Sequence, residues 1–137
     1  MSMKASVLNP GCVSGELLVL DEPLSFWGGY DPQTGTIIDQ QHPQVGVKVT
    51  GKVLVMPGTR GSSGTPGVLG ESLRLGTGPI GLILGKPDVN VMAAALVVSE
   101  LYDMPVPVLV LAKDGYAGLR NGQVVRLESD GEVLLQQ

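Results

Sequence analysis

The sequence predicts an α/β domain in layered β/β/α form, with a small parallel βαβαβ core flanked by β hairpins. Three observations carry this. Short apolar runs of strand length alternate with helical stretches from Val53 to Leu111. Asn121-Gly122 and Asp130-Gly131 punctuate the tail with hairpin signals. Twenty glycines and ten prolines in 137 residues cut the chain into short elements, which disfavours a helical bundle. A hydrophobic content of 43% with 16% charge suits one domain, 1–137, with a real core.

Taken in order, Lys4–Leu8 reads as a strand stopped by Asn9-Pro10-Gly11, and Val13–Leu20 as a second strand; together they suggest an N-terminal hairpin. Leu24–Gly35 holds Phe26 and Trp27 beside paired glycines. It reads either as a loop that closes over a site or partner, with Ser25 and Asp31 as polar contacts, or as an aromatic plug at the end of a barrel. Thr36–Ile38 is a brief strand, and Asp39–Gly46 a polar loop. Val47–Met56 alternates and then turns continuously apolar, a strand that becomes buried, with Gly51 as bulge or break.

Thr65–Leu75 reads as a helix with Pro66 near its start, one of Ser62, Ser63 or Thr65 as cap, and Gly76 at its end. Pro79–Leu84 is a buried strand. Asp88–Leu101 is the best helix by length and alanine content, capped by Asp88 or Asn90, and Met104–Leu111 is the next buried strand. Strand, helix, strand, helix, strand makes two consecutive βαβ units. Val124–Leu127 and Glu132–Leu135 complete the chain.

Composition narrows the function. Net charge is −4, without a basic run, and five aromatic residues make no stacking platform, so nucleic acid is not an expected partner. No apolar run reaches the roughly 20 residues of a membrane helix, and the start has no signal-peptide core; a cytoplasmic location is expected. The single cysteine, Cys12, fits a reducing compartment and a structural role. His42, in Gln40-Gln-His-Pro-Gln44, reads as a solvated or turn-bonded histidine, with ligation as the sharper alternative. One His and one Cys make no metal site, so any metal centre would belong mainly to another chain.

The stretch with most chemistry is Pro57–Gly70, P-G-T-R-G-S-S-G-T-P-G-V-L-G, between a strand and a helix start. Backbone N–H groups, two hydroxyls and Arg60 can meet an anion there. It lacks the Gly-Lys-Ser/Thr ending of a P-loop, and no His–Asp pair is readable to activate a serine. The residues alone leave two readings: a glycine-rich connection with a serine cap, or an anion-binding or catalytic turn. Arg74, Lys52 and Lys113 read as solvated surface groups.

Leu24–Gly35, His42-Pro43 and Gly51–Gly64 together resemble the small swivel subunit of the aconitase X family, over about residues 5–126. The resemblance implies a swivelling β/β/α domain, fused to or assembled with a large catalytic subunit whose own cysteines hold an iron–sulfur cluster. It implies a hydro-lyase acting on a small hydroxy acid: cis-3-hydroxy-L-proline in bacteria, mevalonate 5-phosphate in archaea. The Ser-Ser-Gly-Thr-Pro-Gly and Trp-Gly-Gly forms lean to the hydroxyproline type. Carried over by position, Ser62 is the catalytic base, with Arg60, Gly61, Ser63 and Gly64 binding substrate and Ser63 as the neighbour with which Ser62 could be confused. The alternatives are a non-catalytic anion-binding module and a docking partner that engages through Phe26-Trp27.

Overall fold

The computed structural model describes residues 2–60 and 64–136. The strands are β1 (Ser2–Lys4), β2 (Ser6–Asn9), β3 (Val13–Val19), β4 (Tyr30–Asp31), β5 (Thr36–Ile37), β6 (Val53–Met56), β7 (Gly81–Leu84), β8 (Val108–Val110), β9 (Val124–Leu127) and β10 (Glu132–Leu135). The helical segments are α1 (Phe26–Gly29), α2 (Thr65–Leu75), α3 (Val89–Tyr102) and α4 (Lys113–Ala117). Both predicted βαβ units form: β6 pairs in parallel with β7, and β7 with β8.

Eight strands make one sheet in the order β1-β10-β9-β3-β6-β7-β8-β2, and β4-β5 form a separate ribbon. β1 and β2 occupy the two ends of that order, yet only Ala5 separates them in the chain. One extended segment thus pairs with β10 by its first half and with β8 by its second. The sheet curls back on itself, and its edges meet in a single strand, which removes open edges.

Alternation along the strands then divides the core in two. Val53, Val55, Ile83, Leu109, Val125 and Val133 point into the curled sheet. Leu54, Met56, Leu82, Leu84 and Val108 point the other way and pack under α2 and α3 through Leu69, Leu73, Val91, Ala94, Ala95 and Val98. The continuous apolar runs of β6 and β7 follow from this: both faces are covered.

Three local expectations change. The two N-terminal strands do not pair with each other; β3 runs antiparallel to β9 and parallel to β6. The reason lies at the intended turn. Buried Asn9 donates to the Val106 carbonyl (2.9 Å) and to Ser99 Oγ (3.2 Å), pinning the end of β2 beside α3. Gly11 then passes Pro107 so closely that a Cβ would meet its Cδ at 2.8 Å. β9–β10 forms the hairpin expected at Asp130-Gly131, and β4–β5 forms a second one. Asn121-Gly122 joins α4 to β9 and not two strands, with Gly122 at φ +87°. Val47–Met56 breaks at Gly51 (φ +74°), so only Val53–Met56 is strand.

The helix ends behave largely as the sequence suggests. α2 ends on left-handed Gly76, whose N–H bonds back into the last turn. α3 is capped by Asp88. The N-cap of α2, however, is Gly64, without a side-chain cap, and Thr65 lies inside the helix.

Candidate active site

β6 ends in buried Met56 at the C-terminal edge of the parallel strands, the edge where open α/β sheets place ligands. The chain then runs through Pro57, Gly58, Thr59 and Arg60, and the described residues resume at Gly64, the N-cap of α2. Gly61, Ser62 and Ser63 lie outside the described residues, so the geometry that can be given is that of the turn's two shoulders.

The first shoulder is held on two sides. The Thr59 N–H and hydroxyl both donate to Asp88 Oδ2, at 3.0 and 2.5 Å. Thr59 also forms a bridge with Leu24, and the Arg60 N–H donates to the Leu24 carbonyl at 3.2 Å. Gly58 lies against the Lys86 side chain, where a Cβ would meet Cε at 3.0 Å. Burial acts to raise the Asp88 carboxyl, but the hydrogen bonds from Thr59, Val91 and Asn90 outweigh it and hold the group below the ordinary aspartate value.

Arg60 donates from Nη2 to Glu22 Oε1 at 3.0 Å, in a pair about half exposed on each side. A guanidinium has five N–H donors, and this contact uses one. Glu22 is itself steadied by His42. That ring is buried; Nδ1 accepts from the Gln44 N–H (3.0 Å), which leaves Nε2 as the donor to the Glu22 carbonyl (3.2 Å). His42 is therefore turn-bonded in a buried site, and its support of the Glu22 loop carries no sequence signal, because its neighbours are polar.

The second shoulder is Gly64, covered by the Trp27 ring. The aromatic pair divides between its two readings: Phe26 is fully buried, edge-on to Tyr30 at 5.1 Å, while Trp27 is 65% exposed. Gly28 at φ +85° reverses the chain between them and Tyr30. Ser25 Oγ donates to the Trp27 carbonyl, and Asp31 accepts from Gln33 and Thr34 within its own turn. Thr65, the next residue after Gly64, is fully buried, and its hydroxyl has no partner among the described residues.

Beside Pro57 opens a cavity of about 350 Å³ lined by Gly85, Lys86, Lys113 and Tyr116. Burial raises the Tyr116 phenol. Neither lysine has an ion pair among the described residues. Arg74 forms a bidentate pair with Glu71 on the exposed side of α2, as a solvated helix face should.

Cys12 is exposed, with Sγ 3.4 Å from both Arg126 Nη2 and Glu128 Oε2. It precedes β3, and because β3 and β6 are parallel it stands at the opposite end of the sheet from the turn. Among the described residues no three His, Cys, Asp or Glu side chains gather where they could hold a metal ion. An iron–sulfur cluster takes several thiolates, and the sequence has one cysteine. This chain's own residues do not fit such a cluster. No helix among the described residues is long and apolar enough to cross a membrane.

A family model described as the aconitase X swivel domain matches residues 2–135. The chain is 39% identical over 103 residues to a cis-3-hydroxy-L-proline dehydratase of Pseudomonas aeruginosa, a match covering 75% of this chain but only 18% of that protein. It is 38% identical over 122 residues to a phosphomevalonate dehydratase small subunit of Methanopyrus kandleri, covering 88% and 86% of the two chains. Among solved structures, the crystal structure of Thermococcus kodakaraensis aconitase X (holo-form) superposes with a TM-score of 0.88 at 28% identity, covering 100% of this chain and 99% of that one.

Proposed function

The chain belongs to the aconitase X swivel-domain family, and from that premise we propose that it is the serine-presenting small subunit of an iron–sulfur hydro-lyase. The proposed substrate is a small hydroxy acid, cis-3-hydroxy-L-proline first. The observation that carries this reading is a half-built site. A turn is clamped at both shoulders on the ligand-binding edge of the sheet, in a chain that lacks a cluster's ligands among its described residues. The cluster and the rest of the site are assigned to a large subunit, and a cytoplasmic location suits an exposed free thiol.

In this reading Ser62 Oγ, as alkoxide, takes the proton from the carbon next to the substrate carboxylate. The C–H electron pair becomes the new double bond as the C–O bond on the adjacent carbon breaks. The released hydroxide takes up a proton and leaves as water, a departure that the Lewis acidity of a cluster in the large subunit would assist. Arg60, Gly61, Ser63 and Gly64 are the proposed substrate-binding residues, and Arg60 offers the carboxylate the guanidinium donors that Glu22 leaves free. The start of α2 favours negative charge on the serine. Trp27 over Gly64 shields that shoulder from water.

Phosphomevalonate is the second substrate reading. It is supported by archaeal small subunits at similar identity, which the chain spans almost end to end, as with the one from Methanosarcina acetivorans (32% identity, 98% of this chain, 91% of that one). The test is anaerobic co-purification with a cysteine-bearing large subunit, then assay of the pair on both substrates. Dehydration of cis-3-hydroxy-L-proline is expected. Turnover of phosphomevalonate alone selects the second substrate, and tight anion binding by the isolated chain without turnover by the pair selects a non-catalytic module.

A further inference from the structure

Asp88 does two jobs with one carboxylate. Oδ1 accepts from the N–H groups of Asn90 (3.0 Å) and Val91 (3.2 Å) and so caps α3. Oδ2 accepts from the N–H and the hydroxyl of Thr59. Two donors come from the helix and two from the shoulder of the turn, which fills the carboxylate's acceptor capacity. α3 in turn is sunk into the core through Val91, Ala94, Ala95 and Val98. Thr59 is therefore tied to an element that cannot shift without opening that core. Thr59 stands three residues before Ser62.

We propose that Asp88 is a positioning residue for the turn: by holding Thr59 to the N-terminus of α3, it fixes the shoulder from which the chain continues to Ser62. The proposal rests on the reading of Ser62 as the base. No close relative of aspartate can replace it. Asparagine has one acceptor oxygen, and its NH₂ would face either the helix N–H groups or the Thr59 donors. Glutamate carries its carboxylate one methylene further out and cannot serve both sides from the cap position.

The hydroxyl half of the anchor can be removed without touching the cap, through Thr59, leaving the Thr59 N–H bond to Asp88 in place. In the assembled pair, Thr59→Val should lower kcat by about tenfold to a hundredfold with KM little changed, as expected when a catalytic group is displaced rather than removed. Thr59→Ser, which keeps the hydroxyl, should restore the rate. In the isolated chain, amide hydrogen exchange over residues 58–60 should accelerate in Thr59→Val and recover in Thr59→Ser, while exchange across α3 stays unchanged. Unchanged exchange both in Thr59→Val and in Asp88→Ala, which removes both Thr59 bonds, overturns the anchor itself. Full activity of Ser62→Ala in the pair, with the exchange response intact, overturns the role assigned to the base and not the anchor's effect on the turn.

Discussion

The Trp27 indole lies across the α-carbon of Gly64, so close that a Cβ at Gly64 would meet Cδ2 and Cε3 at 3.1 Å. The ring is exposed on its other side. One aromatic thus forms a wall at the start of α2, and glycine at position 64 is what lets it approach.

Gly64→Ala is expected to displace this ring and little else. The backbone at Gly64 is right-handed helical (φ −78°, ψ −14°), so alanine suits it conformationally. Trp27 is the chain's only tryptophan, so its emission reports the move directly. The spectrum should shift while unfolding free energy changes by less than about 1 kcal/mol. A spectrum superimposable on that of the parent would show that the indole does not rest on Gly64.

Behind that wall, a one-way chain of hydroxyls ties the β4–β5 ribbon to α2. Thr77 Oγ1 donates to the Pro32 carbonyl (2.5 Å), so it accepts from Ser72 Oγ (2.8 Å), which accepts from the Tyr30 phenol (2.6 Å). Burial raises the Tyr30 phenol despite the Ser72 hydrogen bond. Ser72→Ala strands a buried phenol and should cost about 1–3 kcal/mol in denaturant unfolding. Adding Tyr30→Phe should recover most of that loss, because the stranded group is then gone. A double variant as unstable as the sum of the two singles would contradict the coupling.

What could be read from the sequence follows the range of the forces involved. The apolar runs of β6, β7 and β8, the Gly76 stop and the Asp88 cap are local, and they form as expected. The pairing of Ser2–Asn9 is not local: its halves pair with β10 and β8, far along the chain, and nothing in short alternating strands names them. α4 has five residues with Gly115 at its centre, too few for a period. Phe26 and Trp27 are adjacent in an irregular segment, so no periodicity says which faces inward. At the site, the turn's place between strand and helix was legible. The Thr59–Asp88 tie, across 29 residues, and the burial of His42 were not.

Acid should loosen the turn's first shoulder. The Asp88 carboxyl is depressed in the folded chain, so its contribution is fully present above the unfolded aspartate value, about 4, and is lost as pH falls through the lower folded value. Asp88→Ala should cost about 1–2 kcal/mol at neutral pH, the range for a lost helix cap. The gap between variant and parent should close below about pH 4, where the parent's carboxyl protonates too. Equilibrium unfolding from pH 7 to pH 3 measures it, and a gap that stays constant with pH would show that the charged form of Asp88 does no work.

In the proposed function the turn is half of an active site and presents Ser62 as the base. The most direct measurement is turnover of cis-3-hydroxy-L-proline by the small subunit paired with its large subunit, comparing Ser62→Ala with Ser63→Ala under anaerobic conditions. Loss of at least a hundredfold in kcat for Ser62→Ala, of the order general-base removal produces, with assembly intact and Ser63→Ala markedly more active, is the predicted result. Undiminished turnover by an assembled Ser62→Ala pair would contradict it.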